Sequence, residues 1–115
     1  MALDCLFCKL IAGEIPANVV YLEDQVFAFR DINPQAPTHI LIIPKRHIPG
    51  VLSVTREDAE VLEHIFQVAA ELAKQEGIAD SGFRLVVNSG PDAGQTVHHL
   101  HFHLLGGRLL GWPPG

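Results

Sequence analysis

The stretch His98-His99-Leu100-His101-Phe102-His103-Leu104-Leu105 decides the fold, and it holds four of the seven histidines in the chain. Side chains alternate between the two faces of a strand, so this pattern predicts one polar face made of His99, His101 and His103. The opposite, core-facing set comprises Leu100, Phe102 and Leu104, with His98 at its start. Three imidazoles on one face favour either a metal site or a nucleophile managed by its neighbours, against the plainer alternative of a solvated edge strand.

Working outward, short apolar runs between turn residues predict strands at 19–23, 26–31, 39–43, 83–88 and 97–105. A long helix is predicted over 56–76, beginning at a capping box of Thr55 and Asp58 and ending at Gly77. Its core stripe is predicted as Leu62, Ile65, Phe66, Ala69, Leu72 and Ala73. A short N-terminal helix over 5–12 ends at Gly13. This order predicts an α+β fold, an antiparallel sheet of about five strands with the long helix on one face.

The composition predicts one compact domain over residues 1–115, with a C-terminal tail from about 106 to 115. A net charge of −5 gives no basic footprint for nucleic acid or an anionic membrane surface. Every apolar run is interrupted well before the roughly 18 residues of a membrane span. The N-terminus lacks the pattern of a signal peptide, so we expect a cytoplasmic protein that binds neither nucleic acid nor membrane.

The segment 99–105 resembles the His-φ-His-φ-His-φ-φ signature of the histidine triad (HIT) superfamily, where φ is an apolar residue. Further segments are similar to its Hint branch, in order Asp31-Ile32-Asn33-Pro34-Gln35-Ala36-Pro37-Thr38-His39, Val87-Asn88, Gly94-Gln95-Thr96-Val97 and Trp112-Pro113-Pro114-Gly115. The resemblance spans about 5–115. It implies the HIT fold, a two-fold homodimer, and hydrolysis of the phosphorus–nitrogen bond in purine nucleoside 5′-phosphoramidates of the AMP or GMP type.

The resemblance also implies roles for four histidines. His101 would attack the α-phosphorus and form a nucleotidyl-histidine, oriented by a backbone carbonyl near His99. His39 would support the triad and His103 would contact the phosphate. A neutral imidazole both attacks and leaves, so the chemistry itself requires no metal or other cofactor.

Several other residues are candidates for holding the nucleotide. The Asn88 amide and the backbone N–H groups of Gly94, Gln95 and Thr96 are predicted to face the phosphate, and the Thr96 hydroxyl to face the leaving group. The Hint pattern commonly has Ser at that position. The alternative is that 89–94 is only a turn. No arginine is clearly placed to clamp a polyphosphate, which favours a monophosphoryl substrate.

The sugar and base would be held on the opposite loop. Asp31 is a candidate for the ribose hydroxyls and Ile32 for the base, although Asp31 alternatively caps the turn that follows it. Phe7, Leu10 and Phe29 would complete an apolar slot, or simply belong to the core.

Cys5 and Cys8 have three interpretations: a redox pair, two buried thiols, or half of a structural zinc site. A redox pair is expected beside a βαβ unit, which the pattern lacks. His47 and His99 are the natural further zinc ligands, and many HIT members with a Cys-x-x-Cys start resemble this arrangement. We therefore favour a structural zinc held by Cys5, Cys8, His47 and His99, with His98 as an alternative fourth ligand.

Two rival functions remain. Other HIT relatives hydrolyse dinucleoside polyphosphates or transfer nucleotidyl groups. The second rival belongs to a different class of protein, a zinc-stabilised module that binds a nucleotide without turning it over. The resemblance further implies that the tail, with the single Trp112, packs near the partner's site in the dimer.

Overall fold

The computed structural model describes residues 4–115. Its helices and strands, in chain order, are α1 Leu6–Ile11, β1 Val19–Leu22, β2 Val26–Arg30, β3 Thr38–Pro44, α2 Ala59–Gln75, β4 Phe83–Val87 and β5 Phe102–Gly106. Short 3-10 turns lie at Val51–Ser53, Arg56–Asp58 and Pro91–Ala93. The predicted α+β fold is confirmed. Across 4–115, no helix combines the length and the apolar character needed to cross a membrane.

The five strands form one antiparallel sheet in the order β1-β2-β3-β5-β4. Helix α2 packs on one face and α1 on the other, so β3 is buried on both faces and every residue in it is buried. That double burial explains why the sequence of β3 is a continuous apolar run rather than an alternating one. His39, His99, His101 and His103 lie on the α1 side of this sheet.

The predicted capping box is present, because the Asp58 carboxylate accepts a hydrogen bond of 2.8 Å from the Thr55 backbone N–H. The first predicted turn, Arg56–Asp58, is a 3-10 turn, and α2 itself begins at Ala59. The predicted core stripe was partly wrong. Phe66 is 57% exposed, and Val61 and Val68 are buried instead. Ile65, Ala69, Leu72 and Ala73 are buried as predicted, so the buried face of the helix is displaced by less than one residue. The Phe66 ring packs edge-on against the Phe102 ring.

The prediction of a strand over 97–105 was wrong in its first half, since β5 begins only at Phe102. Continuing the β3–β5 register would place Leu100 opposite Pro44, which has no N–H to donate to a ladder. The Leu100 N–H instead donates to the Ile48 carbonyl at 2.6 Å. Leu100, Phe102 and Leu104 still enter the core as predicted, whereas His98 is exposed rather than on the apolar side.

The C-terminal segment after β5 runs back along the edge of the domain. Arg84 donates a hydrogen bond of 2.9 Å to the Gly111 carbonyl, and its guanidinium lies 5.9 Å from the centre of the Trp112 ring. Arg108 donates to the Gln35 carbonyl at 3.0 and 3.1 Å. Trp112 itself remains 82% exposed.

Candidate active site

A cavity of about 370 Å³ opens on the α1 side of the sheet. It brings together five residues singled out in the sequence, namely Asp31, Ile32, Thr96, His101 and His103. The three apolar residues expected to form a slot, Phe7, Leu10 and Phe29, also line it. Phe7 and Phe29 belong to the core as well, so the alternatives posed for them are both realised.

His101 lies buried in the cavity with its ring fixed in one orientation. Its Nδ1 donates a hydrogen bond of 2.6 Å to the backbone carbonyl of His99, and the Phe7 ring meets it edge-on at 5.0 Å between centres. Because a carbonyl only accepts, the proton must sit on Nδ1, and Nε2 keeps its lone pair. Burial lowers the pKa of His101, outweighing the opposing effects of the His99 hydrogen bond and the Asp31 charge. The imidazole is therefore neutral at neutral pH.

A second chain of hydrogen bonds fixes His39 and His103. The Gln35 backbone N–H donates to Nδ1 of His39 at 3.0 Å, so the His39 proton must lie on Nε2. That Nε2–H donates to Nδ1 of His103 at 2.9 Å, which places the His103 proton on Nε2. His103 Nε2 is buried and has no hydrogen-bond partner within 4–115. These bonds therefore leave the Nε2–H of His103, a residue that lines the cavity, as an N–H donor without a partner among the described residues.

Both of these imidazoles are also neutral. Burial lowers the pKa of His39, and burial with the neighbouring His101 and His39 lowers that of His103 to about 4. The nearby Asp31 carboxylate opposes the effect, lying 3.5 Å from His39 Nε2. Asp31 also accepts the Asn33 backbone N–H at 2.8 Å, so the turn-capping role considered for it is present.

The loop after β4 is placed differently from the expectation. Among the described residues that line the cavity, Thr96 is present but Asn88, Gly94 and Gln95 are not. The backbone N–H groups of Gly94 and Gln95 already donate, both at 3.1 Å, to the carbonyls of Pro91 and Gly90. Two of the three predicted backbone donors are thus occupied within the loop itself.

Part of the cavity wall could not be anticipated from the sequence. The segment 15–18 and the residues Arg30, Leu41 and Val97 also line it. Arg30 is an arginine in the cavity, but its guanidinium is held by two hydrogen bonds of 2.8 and 2.9 Å to the Glu76 carboxylate. Ordinary loop and core residues carry no chemical pattern, and only the folded chain brings them together.

Cys5, Cys8, His47 and His99 form a second cluster behind the cavity, as predicted for a metal site. The His99 Nε2–H donates to the Pro44 carbonyl at 2.8 Å, so Nδ1 of His99 faces the cluster with a free lone pair. The exposed His98 does not join this group. His99 thus turns its ring toward the cluster while its carbonyl holds His101.

The separations within the cluster fit a tetrahedral zinc ion. Zn–S bonds of about 2.3 Å and Zn–N bonds of about 2.0–2.1 Å place S and N about 3.5 Å apart and two N atoms about 3.3 Å apart. The S–N separations here are 3.4, 3.4 and 3.6 Å, and the N–N separation is 3.2 Å. Burial and the adjacent Cys5 raise the pKa of the Cys8 thiol to about 11, a penalty that a cation between the two sulfurs would offset.

The chain is similar to known proteins over most of its length. A family model described as the HIT domain matches residues 12–110. The purine nucleoside phosphoramidase of Escherichia coli strain K12 is 54% identical over 111 residues, which cover 96% of this chain and 93% of that protein. The 14 kDa zinc-binding protein of Zea mays is 53% identical over 112 residues, covering 96% of this chain and 87% of that protein.

A solved structure gives the same result at the level of the backbone. The crystal structure of a HIT family hydrolase from Legionella pneumophila Philadelphia 1 superposes with a TM-score of 0.96 at 54% identity, covering 97% of this chain and all of that one. The family model spans most of the chain, and the relatives match it almost end to end. The chain therefore belongs to the HIT family and is a hydrolase of that family.

Proposed function

We propose that the chain hydrolyses the phosphorus–nitrogen bond of purine nucleoside 5′-phosphoramidates through a nucleotidyl group carried on His101. The observation that carries the proposal is the tautomer of His101, whose Nδ1–H is held by the His99 carbonyl at 2.6 Å. Its Nε2 is a neutral, unprotonated nucleophile on a residue that lines a cavity. The Escherichia coli relative carries the name of this activity.

The reaction proceeds in two displacements at phosphorus. The Nε2 lone pair of His101 attacks, the phosphorus–nitrogen bond breaks, and the nitrogen leaves as an amine after taking up a proton through the Thr96 hydroxyl. The His101 ring then carries a positive charge, which the His99 carbonyl stabilises through Nδ1–H. Water next attacks phosphorus and passes a proton through the Thr96 hydroxyl to solvent, which replaces the proton that solvent supplied to the amine through the same hydroxyl in the first displacement. The Nε2–phosphorus bond then breaks, and the nucleoside monophosphate leaves with the lone pair restored to His101.

His103 supplies the donor that the phosphate needs. Its Nε2–H is buried without a partner within the described chain, and a phosphate oxygen would satisfy it. Because His39 donates to the other ring nitrogen, His103 cannot present an acceptor to the anion. Asn88 and the Thr96 backbone N–H are proposed as further donors, with Gly94 and Gln95 acting through the shape of the loop rather than through their bonded N–H groups.

The sugar and the base are assigned to the opposite rim. Asp31 accepts the ribose hydroxyls, and the fully exposed Ile32 side chain packs against the base above the slot of Phe7 and Phe29. Arg30 is already neutralised by Glu76, so it is a poor clamp for a polyphosphate. This favours a monophosphoryl substrate over a dinucleoside polyphosphate.

Hydrolysis of adenosine 5′-phosphoramidate by wild type, His101→Ala and His64→Gln tests the proposal. His64 lies on α2, on the opposite side of the sheet, and serves as the matched histidine control. We expect turnover in wild type and His64→Gln, an adenylyl-histidine signal in rapidly quenched wild type, and neither in His101→Ala. Wild-type rates in His101→Ala would refute the covalent route. Tight AMP binding without turnover in any of the three would favour a nucleotide-binding module.

We further propose that Cys5, Cys8, His47 and His99 hold a structural zinc ion, supported by the tetrahedral separations above. Bound zinc would tie α1 to the segment that carries His99, and so support the carbonyl that orients His101. We expect one zinc per chain by elemental analysis of wild type and less in Cys8→Ser. A metal-free wild type with unchanged thermal stability would argue against the site.

A homodimer is proposed from the free edge of the sheet. β4 is an edge strand, Phe83 and Val87 on it are partly exposed, and the exposed Phe66 packs beside Phe102, the cross-strand neighbour of Val87. An apolar patch at an open strand edge favours pairing with a second copy. Light scattering is expected to give twice the chain mass for wild type and a monomer for Phe66→Glu.

A further inference from the structure

The side chain of Gln95, in the loop after β4, has no part in the proposed mechanism. It sits next to Thr96 in the sequence, yet it does not line the nucleotide cavity. Its side chain turns away and makes three hydrogen bonds to backbone groups. Oε1 accepts from the Gly90 N–H at 3.0 Å, and Nε2 donates to the Pro49 and Val97 carbonyls at 3.0 and 3.2 Å.

These three partners lie at informative places along the chain. Gly90 and Val97 bracket the loop that contains Thr96, and Asn88 lies two residues before Gly90. Pro49 belongs to a different segment, whose neighbouring Ile48 carbonyl accepts the Leu100 N–H at 2.6 Å. Gln95 therefore ties the loop that carries Thr96 to a segment that is itself bonded to the histidine stretch.

We propose that Gln95 is a positioning residue for the reaction, holding Asn88 and Thr96 at the phosphate and leaving-group side of the cavity. The inference rests on the proposed function above. One of its three partners is a donor and two are acceptors, which matches the two ends of an amide and fixes its orientation. No carboxylate, hydroxyl or apolar side chain of similar length can make all three bonds.

Gly50 offers a second route to the same contact. A Cβ placed on Gly50 would lie 3.3 Å from Nε2 and 3.6 Å from Oε1 of Gln95. The backbone there is extended, with φ of 177°, so alanine fits the conformation and only crowds the amide. Gly50→Ala therefore perturbs the clamp while Gln95 stays in place.

The test compares wild type with Gln95→Met, Gly50→Ala and a control, Gln67→Met, on the exposed face of α2. Methionine keeps the length of glutamine but forms none of the three bonds. For each protein we measure kcat on adenosine 5′-phosphoramidate, the affinities for AMP and adenosine, thermal unfolding, and hydrogen exchange at the Gly90 amide.

In Gln95→Met we expect faster exchange at Gly90, a kcat reduced by about ten- to hundredfold, and weaker AMP binding. Adenosine affinity stays within about twofold of wild type, because the sugar and base are held on the other rim. Gly50→Ala shifts the same quantities by less, and Gln67→Met shifts none.

Two results would overturn the positioning role. One is an equal loss of affinity for adenosine and for AMP in Gln95→Met. The other is a kcat and an AMP affinity that stay at wild-type values although exchange at the Gly90 amide is faster. If Gln95→Met does not fold, the same criteria are applied to Gly50→Ala. A wild type that binds AMP but lacks phosphoramidase activity would defeat the proposed function, and the AMP-to-adenosine comparison would still decide the role of Gln95.

Discussion

Replacing His103 with glutamine should reduce the decrease in the free energy of unfolding that occurs as the pH is lowered. His103 is a base whose pKa is about 4 in the folded chain, against about 6.5 when unfolded. Between about pH 4 and pH 6.5 the His103 ring is therefore neutral in the folded state and protonated in the unfolded state. The stability that depends on the neutral ring is complete above about pH 6.5 and is lost progressively as the pH falls toward about 4.

The size of the effect follows from that gap. A gap of about 2.5 pH units corresponds to roughly 3.4 kcal/mol when fully developed, of which about 2 kcal/mol is lost between pH 7 and pH 5. His103→Gln keeps an acceptor for His39 and a donor toward the cavity but cannot take up a proton.

Urea unfolding of both proteins at pH 7, 6 and 5 measures the difference directly. Wild type should lose about 2 kcal/mol more than His103→Gln over this range. Acid effects at the cysteine–histidine cluster occur in both proteins and cancel in the comparison. Parallel curves, agreeing within about 0.5 kcal/mol at every pH, would refute the account of why His103 is neutral.

Two further predictions concern stability. Gly106→Ala should lower the free energy of unfolding by about 1–3 kcal/mol, because its Cβ would lie 2.6 Å from the buried Ile78 side chain. The control Gly111→Ala meets nothing within 4 Å and should be neutral, so equal unfolding midpoints for the two variants would contradict the prediction. Glu76→Gln should lower the free energy of unfolding by about 1 kcal/mol, because it removes the charged acceptor of the partly exposed Arg30. The difference in stability from wild type should shrink in high salt, and a difference that does not depend on salt would argue against an ionic origin.

The sequence was sufficient where the structural signal is local. The Asp24–Gln25 turn, the Thr55–Asp58 capping box and the glycine after α2 lie within a few residues of the elements they bound, and those boundaries were predicted to within one to three residues. The start of β5 was missed because it depends on Pro44, a residue more than fifty positions away in another strand.

The face of α2 was misjudged for a related reason. Val61, Ile65, Val68 and Leu72 form one apolar stripe, and Leu62, Phe66, Ala69 and Ala73 form a neighbouring one. Helical periodicity alone supports both, and only packing against the sheet shows that the core takes the first stripe and, from the second, Ala69 and Ala73 but not Phe66. Phe66 consequently stays near the surface, over the sheet edge.

In the candidate site, residue types could be anticipated but hydrogen-bond partners could not. The grouping of His101 with His103, and of His99 with the cysteines, follows from alternation and ligand count. The proton positions depend on the Gln35 N–H and the His99 and Pro44 carbonyls, backbone groups that every residue possesses and that leave no trace in a sequence. The role of the Gln95 side chain was hidden in the same way.

The group that orients His101 has a consequence for mutational scanning. Because it is a main-chain carbonyl, every amino acid placed at position 99 still presents it, and no substitution deletes the hydrogen bond to Nδ1. Replacements at 99 therefore report on the ring's place among Cys5, Cys8 and His47, while the tautomer of His101 is unchanged in such a scan. That bond becomes visible only when its chemistry is altered in the backbone itself, as when an ester replaces the peptide linkage after residue 99 and weakens the acceptor; the same ester also removes the Leu100 N–H that donates to the Ile48 carbonyl, so both bonds enter the measured change.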